Sequence, residues 1–378
     1  MIYVNIIGIT VLSIFGLFVI TKKAKILSDY LLLLVITLFT GILITGIFLE
    51  QKPSSIGYFF FLFCNSFIFP SLVIYGLVLL DRSHKFKLKW LWTASYAIVF
   101  IVFIGVDTLL LNTYETPQEI SRLIEQPTMV YNLLYKGQYI FVIATLIWLL
   151  SKLNTYKRSI KNTFSTIDSI HLNWFRNFTY TYLGVNIASL LLFVLLDLGW
   201  VSTIFIPLLI EHIILVLSLF YLCFHGIKQY SLAQFKSHQL IENQGNDNQK
   251  ITQKYSSSSL SDDEMRQLFS KIEQLFVKDR VYLDAELNID AIANQLNVTT
   301  HRVSQTINSM ASKPFYDYVN AFRVTHLKRL LQDPNNKRFT ILALGIESGF
   351  NSKATLNRVF KQQVGMTPKG FQKTQFTI

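Results

Sequence analysis

GFNSKATLNRVFK, residues 349–361, opens on a Gly-Phe turn, continues through polar residues able to start a helix, and ends with basic side chains at helical spacing. Such a helix can bury one face and offer the other to phosphates and base edges. Around it the pattern completes itself: Thr340 caps ILALGIESG, Gly349 supplies the turn, and Asn351 caps SKATLNRVFKQQ. A second unit of the same design lies upstream. There Asn288 caps IDAIANQL, Asn297-Val298 makes the turn, and Thr299 caps THRVSQTIN. Inward faces come from Ile292, Val303 and Ile307 in the first unit, and from Leu342, Leu356, Val359 and Phe360 in the second. The rest of each second helix is left for DNA.

The stretches NIDAIANQLNVT, FYDYVNAFRVTHLKRLLQD and GFNSKATLNRVFKQQVGMTP, with Gly365-x-Thr367-Pro368 in register, resemble the DNA-binding domain of AraC/XylS-type transcription regulators. The resemblance covers roughly residues 283–373 and implies an all-helical domain with two helix-turn-helix units on a connecting helix. Carried over by position, the base-reading slots fall on His301, Ser304 and Gln305 of the first recognition helix, and on Lys353, Ala354, Asn357 and Arg358 of the second. Arg358 and Lys353 suit guanine O6/N7, Gln305 suits adenine, and Ala354 can meet only a thymine methyl. Arg302, Lys328, Lys361, Lys369 and Lys373 suit phosphate, which positions without reading sequence. A solvated face is the plainer reading of any one of these lysines.

The chain departs from the family at three places. Ser312 stands where the family commonly has Gly, Gly345 where it has Ala, and Leu356 where it has Phe. Gly345 is expected to cost about 1 kcal/mol of helix propensity against Ala.

Before this domain, SLSDDEMRQLFSKIEQLFVKD reads as an amphipathic helix with a Ser261–Glu264 capping box, packing on the domain behind it rather than forming a dimer seam. Residues 227–260 are polar, rich in Asn, Gln and Ser, and without periodicity, as in a flexible linker. About 30 such residues span on the order of 30 Å as a coil.

The first 226 residues have another character. Over the whole chain 51% of residues are hydrophobic and 15% charged, where soluble domains carry about a quarter charged residues. Seven apolar runs, at 3–21, 26–48, 56–80, 90–111, 129–150, 177–199 and 202–225, have the length of about 20 residues needed to cross a bilayer. The third is interrupted by Asn65, Ser66 and Pro70, and the fifth carries Asn132 and Lys136. Lys22, Lys23 and Lys25, then Arg82, Lys85, Lys87 and Lys89, then Lys152, Lys157, Arg158, Lys161 and Arg176 fill alternate gaps, and basic loops stay in the cytoplasm. The N-terminus is therefore expected outside and, after seven crossings, the C-terminal domain inside. MIYVN lacks the positive start of a cleavable signal peptide. The net charge of +12 thus has two sources, basic loops and a phosphate-facing surface.

Ionisable groups at membrane depth are costly and suggest function. Asp107, Lys136, Glu211 and His212 are the candidate ligand or ion-pair residues, with helix–helix hydrogen bonding as the plainer reading; Asp197 is expected to reach the interface. Glu211 and His212, adjacent on a helix, cannot both face one partner. Cys64 and Cys223 lie inside apolar runs, so neither a disulfide framework nor a cysteine metal site is expected. No HExxH and no phosphate-binding glycine loop occurs, and no catalytic residue, metal or cofactor is expected.

The expected architecture is all-α: a bundle of seven transmembrane helices (1–226), a flexible cytoplasmic linker (227–260) and an AraC-type DNA-binding domain (261–378). The expected function is a membrane-bound one-component transcription regulator, not an enzyme. Its partners would be promoter DNA, the lipid bilayer, a second copy of the chain, RNA polymerase, and a small-molecule or membrane signal. The rival readings are a transporter or membrane enzyme with an autoregulatory DNA-binding domain, and a helix-turn-helix module that docks protein.

Overall fold

The computed structural model describes residues 2–376 except 23–24, 52–53, 82–85, 106–128, 169, 202–204 and 229–260. The linker after residue 228 and the end of the fourth apolar run therefore lie outside the described residues. Described residues are helical or loop, with one isolated antiparallel bridge between Phe164 and Asn288. The chain divides into two units, the first comprising 1–154 and 172–236, the second 155–171 and 237–378.

The first unit is built from α1 (Ile2–Thr21), α2 (Leu27–Gln51), α3 (Ser55–Leu80), a 3-10 turn (Leu88–Ala94) running into α4 (Ser95–Gly105), α5 (Met129–Thr163, whose last turns belong to the second unit), α6 (Asn173–Asp197) and α7 (Phe205–Lys228). Of these, α1, α2, α3, α5 and α6 are long and apolar enough to cross a membrane. The fourth and seventh runs contribute shorter apolar helices, Leu88–Phe103 and His212–Ile227, among the described residues. Side chains such as Ile7, Leu17, Phe18 and Phe48 stand exposed, a surface that suits lipid rather than water.

The least uniform run turns out to be the most enclosed. In α3, 83% of the apolar window is buried, against 28% in α1. A helix surrounded by other helices need not match lipid at every position, so Asn65, Ser66 and Pro70 are tolerated there and the helix runs unbroken through Pro70. Tyr75 meets Phe175 of α6 edge-on at 5.8 Å in the core.

The second unit holds α8 (Asp262–Val277), α9 (Ile289–Gln295), α10 (Thr300–Ala311), α11 (Phe315–Gln332), α12 (Ile341–Glu347), α13 (Lys353–Val364) and α14 (Pro368–Phe376). The capping box forms as expected, with Ser261 Oγ accepting from the Glu264 N–H and the Ser261 N–H donating to Glu264 Oε2 at 2.9 Å. Leu268, Ile272, Leu275 and Phe276 of α8 enter one core with Ile292, Val303, Ile307, Phe315 and Val319. That places α8 on the first helix-turn-helix. Burial of its apolar stripe is what holds a single amphipathic helix in place.

Candidate nucleic-acid interface

Each helix of the two helix-turn-helix units starts on a side-chain cap that the sequence supplies. Asn288 Oδ1 accepts from the Ala291 N–H at 3.0 Å, Thr299 Oγ1 from Arg302 at 3.3 Å, and Thr340 Oγ1 from Ala343 at 3.1 Å. The fourth cap differs from expectation: Ser352, not Asn351, caps α13, its Oγ accepting from the Thr355 N–H at 3.1 Å. The hydroxyl sits one residue closer to the first turn, where the unpaired amides point.

The turns also match their sequences. Asn297 takes φ 53 between α9 and α10, and Gly349 takes φ 89 between α12 and α13. Ser312, where the family has Gly, adopts the same left-handed geometry with φ 52. Space rather than conformation governs Gly345. A Cβ built there would fall 1.8 Å from Leu356 Cδ1, so the missing methyl makes room for the leucine that replaces the family's aromatic residue. The glycine is thus part of the packing and not only a loss of helix propensity.

Inward faces follow the expectation at Ile292, Val303, Ile307, Leu356, Val359 and Phe360, all buried. Leu342 does not: it is 39% exposed, and Leu344 is the inward residue of α12. A helix of seven residues buries little more than one turn, and the sharp turn at Gly349 rotates that turn toward Leu344 and Phe350. Both recognition helices, α10 and α13, pack on α11.

The base-reading candidates stay outward. On α10, His301 is exposed, and Arg302, Ser304 and Gln305 are half-buried, with Ser304 Oγ accepting from Asn308 Nδ2 at 3.3 Å. On α13, Lys353, Ala354, Arg358 and Lys361 are exposed and Asn357 is half-buried. Lys328, a phosphate candidate, lies over the Phe371 ring at 5.5 Å.

Arg358 is held rather than free. Its guanidinium donates to the Tyr316 hydroxyl at 2.9 Å and pairs with Asp168 Oδ1 at 3.4 Å. Burial, only partly offset by the Arg358 charge, raises the Tyr316 phenol above its ordinary range. Asp168 also accepts from Ser352 Oγ at 3.0 Å and from Thr355 Oγ1. Asp168 belongs to residues 155–171, which in sequence form part of a basic gap between two apolar runs. The structure makes that segment part of the DNA-binding unit. Its signal in the sequence is small: Asp168 is the one acid between Glu125 and Asp197.

The same segment reaches a buried arginine. Arg323 on α11 is 1% exposed and pairs with no carboxylate among the described residues; it donates to the carbonyls of Tyr282 at 2.8 Å, Asp284 at 2.7 Å and Ser165 at 3.3 Å, and to Ser165 Oγ at 3.1 Å. Burial lowers its pKa to about 10, so it stays charged at neutral pH and its donors must be answered.

In the first unit, Lys136 forms an ion pair with Asp197, so the charge expected at the interface partners one expected at membrane depth. His212 Nε2 lies 2.8 Å from Asn5 Oδ1, a helix–helix hydrogen bond of the plainer kind. Asp107 and the Glu211 side chain lie outside the described residues.

Residues 292–374 match the family model of the helix-turn-helix domain. The match is of AraC type and covers less than half of the chain; it supports DNA binding by these residues and a role in transcription regulation. The apolar helices suggest membrane association. No curated protein and no solved structure matches the chain.

Proposed function

We propose that the chain is a one-component transcription regulator held in the cytoplasmic membrane by seven crossings, with its N-terminus outside and its AraC-type domain in the cytoplasm. A signal sensed in the apolar half, a small hydrophobic molecule or a property of the bilayer, biases the DNA-binding unit between two states and so sets promoter occupancy. A second copy of the chain and RNA polymerase are the further partners this reading calls for. No residue is assigned to catalysis.

The single observation that carries the reading is the pairing of two capped helix-turn-helix units, which expose His301, Lys353, Ala354 and Arg358 on their second helices, with five helices of membrane-crossing length in one chain. Selection of genomic DNA fragments by the full chain in nanodiscs, with the Arg358→Ala variant beside it, tests the DNA half. The full chain is needed because Ser165 answers donors of Arg323 in the DNA-binding unit. Enrichment of one or a few promoter fragments, lost in the variant, is expected; salt-insensitive or absent binding refutes it, because phosphate contacts release counterions. Replacing residues 1–154 and 172–226 by an unrelated anchor tests the sensing half, which fails if promoter output is unchanged.

A further inference from the structure

The segment 155–171 is stitched to the DNA-binding helices from Lys161 to Asp168. Lys161 pairs with Asp317 at 3.3 Å and lies over the Tyr316 ring. Phe164 bridges to Asn288, the Ser165 N–H donates to the Leu287 carbonyl at 3.2 Å, and Thr166 Oγ1 donates to the Ala285 carbonyl at 2.8 Å. These contacts deliver Asp168 to the start of α13. There its carboxylate takes two hydroxyls, those of Ser352 and Thr355, and the Arg358 guanidinium, at the positive end of a twelve-residue helix.

Two hydroxyls, a guanidinium and a helix N-terminus converging on one anion are the groups that hold a phosphate of DNA. Resting on the DNA-binding reading above, we infer that Asp168 is an internal competitor of DNA, a latch that occupies the anion site of the second recognition helix and holds Arg358 away from bases until the 155–171 segment withdraws. The body of the latch is the pair of hydrogen bonds from the Ser165 N–H and the Thr166 hydroxyl to backbone carbonyls; the part that competes is the carboxylate. With side-chain exposures of 31% for Asp168 and 49% for Arg358, the pair is open enough to exchange with a phosphate rather than being sealed in the core. The segment begins with the last turns of α5 and leads directly into α6, so a change in either apolar helix has a short covalent path to the carboxylate. A latch of this kind lowers apparent affinity by the fraction of molecules left open.

The test uses the full chain in nanodiscs and a mixed-sequence 30-base-pair duplex at near-physiological salt. Asp168→Asn keeps the size of the side chain and Asp168→Ala removes it; Asp263→Asn, at an exposed position of α8, makes the same change in net charge elsewhere. Both Asp168 variants should bind on the order of tenfold tighter than the unsubstituted chain, and tighter than Asp263→Asn. Equal affinity for Asp168→Asn and Asp263→Asn overturns the latch, since only general electrostatics would then be at work. A readout without DNA stands beside it: phenylglyoxal should modify Arg358 faster in Asp168→Asn, and unchanged modification overturns the latch. If no chain binds DNA while Arg358 modification still rises, the contact stands but the DNA reading, and the competition inferred from it, falls.

Discussion

Gly349 and Gly365 have nearly the same backbone conformation, φ 89 and φ 82, and opposite surroundings. A Cβ on Gly365 meets nothing within 4 Å, whereas one on Gly349 falls 2.4 Å from the Tyr282 carbonyl oxygen and 2.9 Å from Arg323 Nε. Substituting alanine at each separates two costs that usually come together. Gly365→Ala adds only the left-handed conformation of an L-residue, roughly 1–2 kcal/mol. Gly349→Ala carries that cost and also forces the Tyr282 carbonyl away from Arg323 Nε, which donates to it at 2.8 Å. A buried hydrogen bond to a charged group is worth roughly 1.5–3 kcal/mol, so Gly349→Ala should cost roughly 2.5–5 kcal/mol in all. That is a large part of the stability of a small domain, on the order of 5–15 kcal/mol. All five tryptophans lie at positions 90, 92, 148, 174 and 200, so indole fluorescence would report the wrong unit. Amide hydrogen exchange of the full chain, read over α9 to α11, measures the opening free energy where it matters. Equal losses in the two variants would refute the argument that the close approach at Gly349, and not its dihedral angle, is what requires glycine.

Gly345→Ala, which helix propensity alone would favour, should lower the stability of the second helix-turn-helix because its Cβ would overlap Leu356; hydrogen exchange in α12 and α13 checks the sign, and the pair Gly345→Ala with Leu356→Val should recover part of the loss. His326 is lowered from its ordinary 6.5, chiefly by burial, with Glu347 opposing and Arg280 and Arg329 assisting. Its neutral ring lies 3.2 Å from Ser348 Oγ. The unfolded chain then takes up a proton that the fold resists, so this group subtracts stability as pH falls below about 6.5 and stops doing so once pH passes below the folded value. Exchange-derived stability of the second unit should decline over that window, and less so in His326→Gln.

What depends on near neighbours in the chain was legible without coordinates. Apolar runs marked the long helices because crossing a bilayer is a matter of length and composition, and Ser261, Asn288, Thr299 and Thr340 marked helix starts because a cap bonds amides two or three residues away. The reach of such signals is short, and errors of one or two residues, Asn351 for Ser352 or Leu342 for Leu344, arise where a turn sets the phase of a seven- or twelve-residue helix. Tertiary structure decided the rest. Arg323 looks like any arginine on an amphipathic helix until its partners are known, and one of them, Ser165, is 158 residues away. Asp168 has no periodic pattern around it, and its meeting with Thr355 and Arg358 spans 187 and 190 residues of chain. Contacts of that separation are fixed by how the elements pack, and packing leaves no local spacing for a sequence to display.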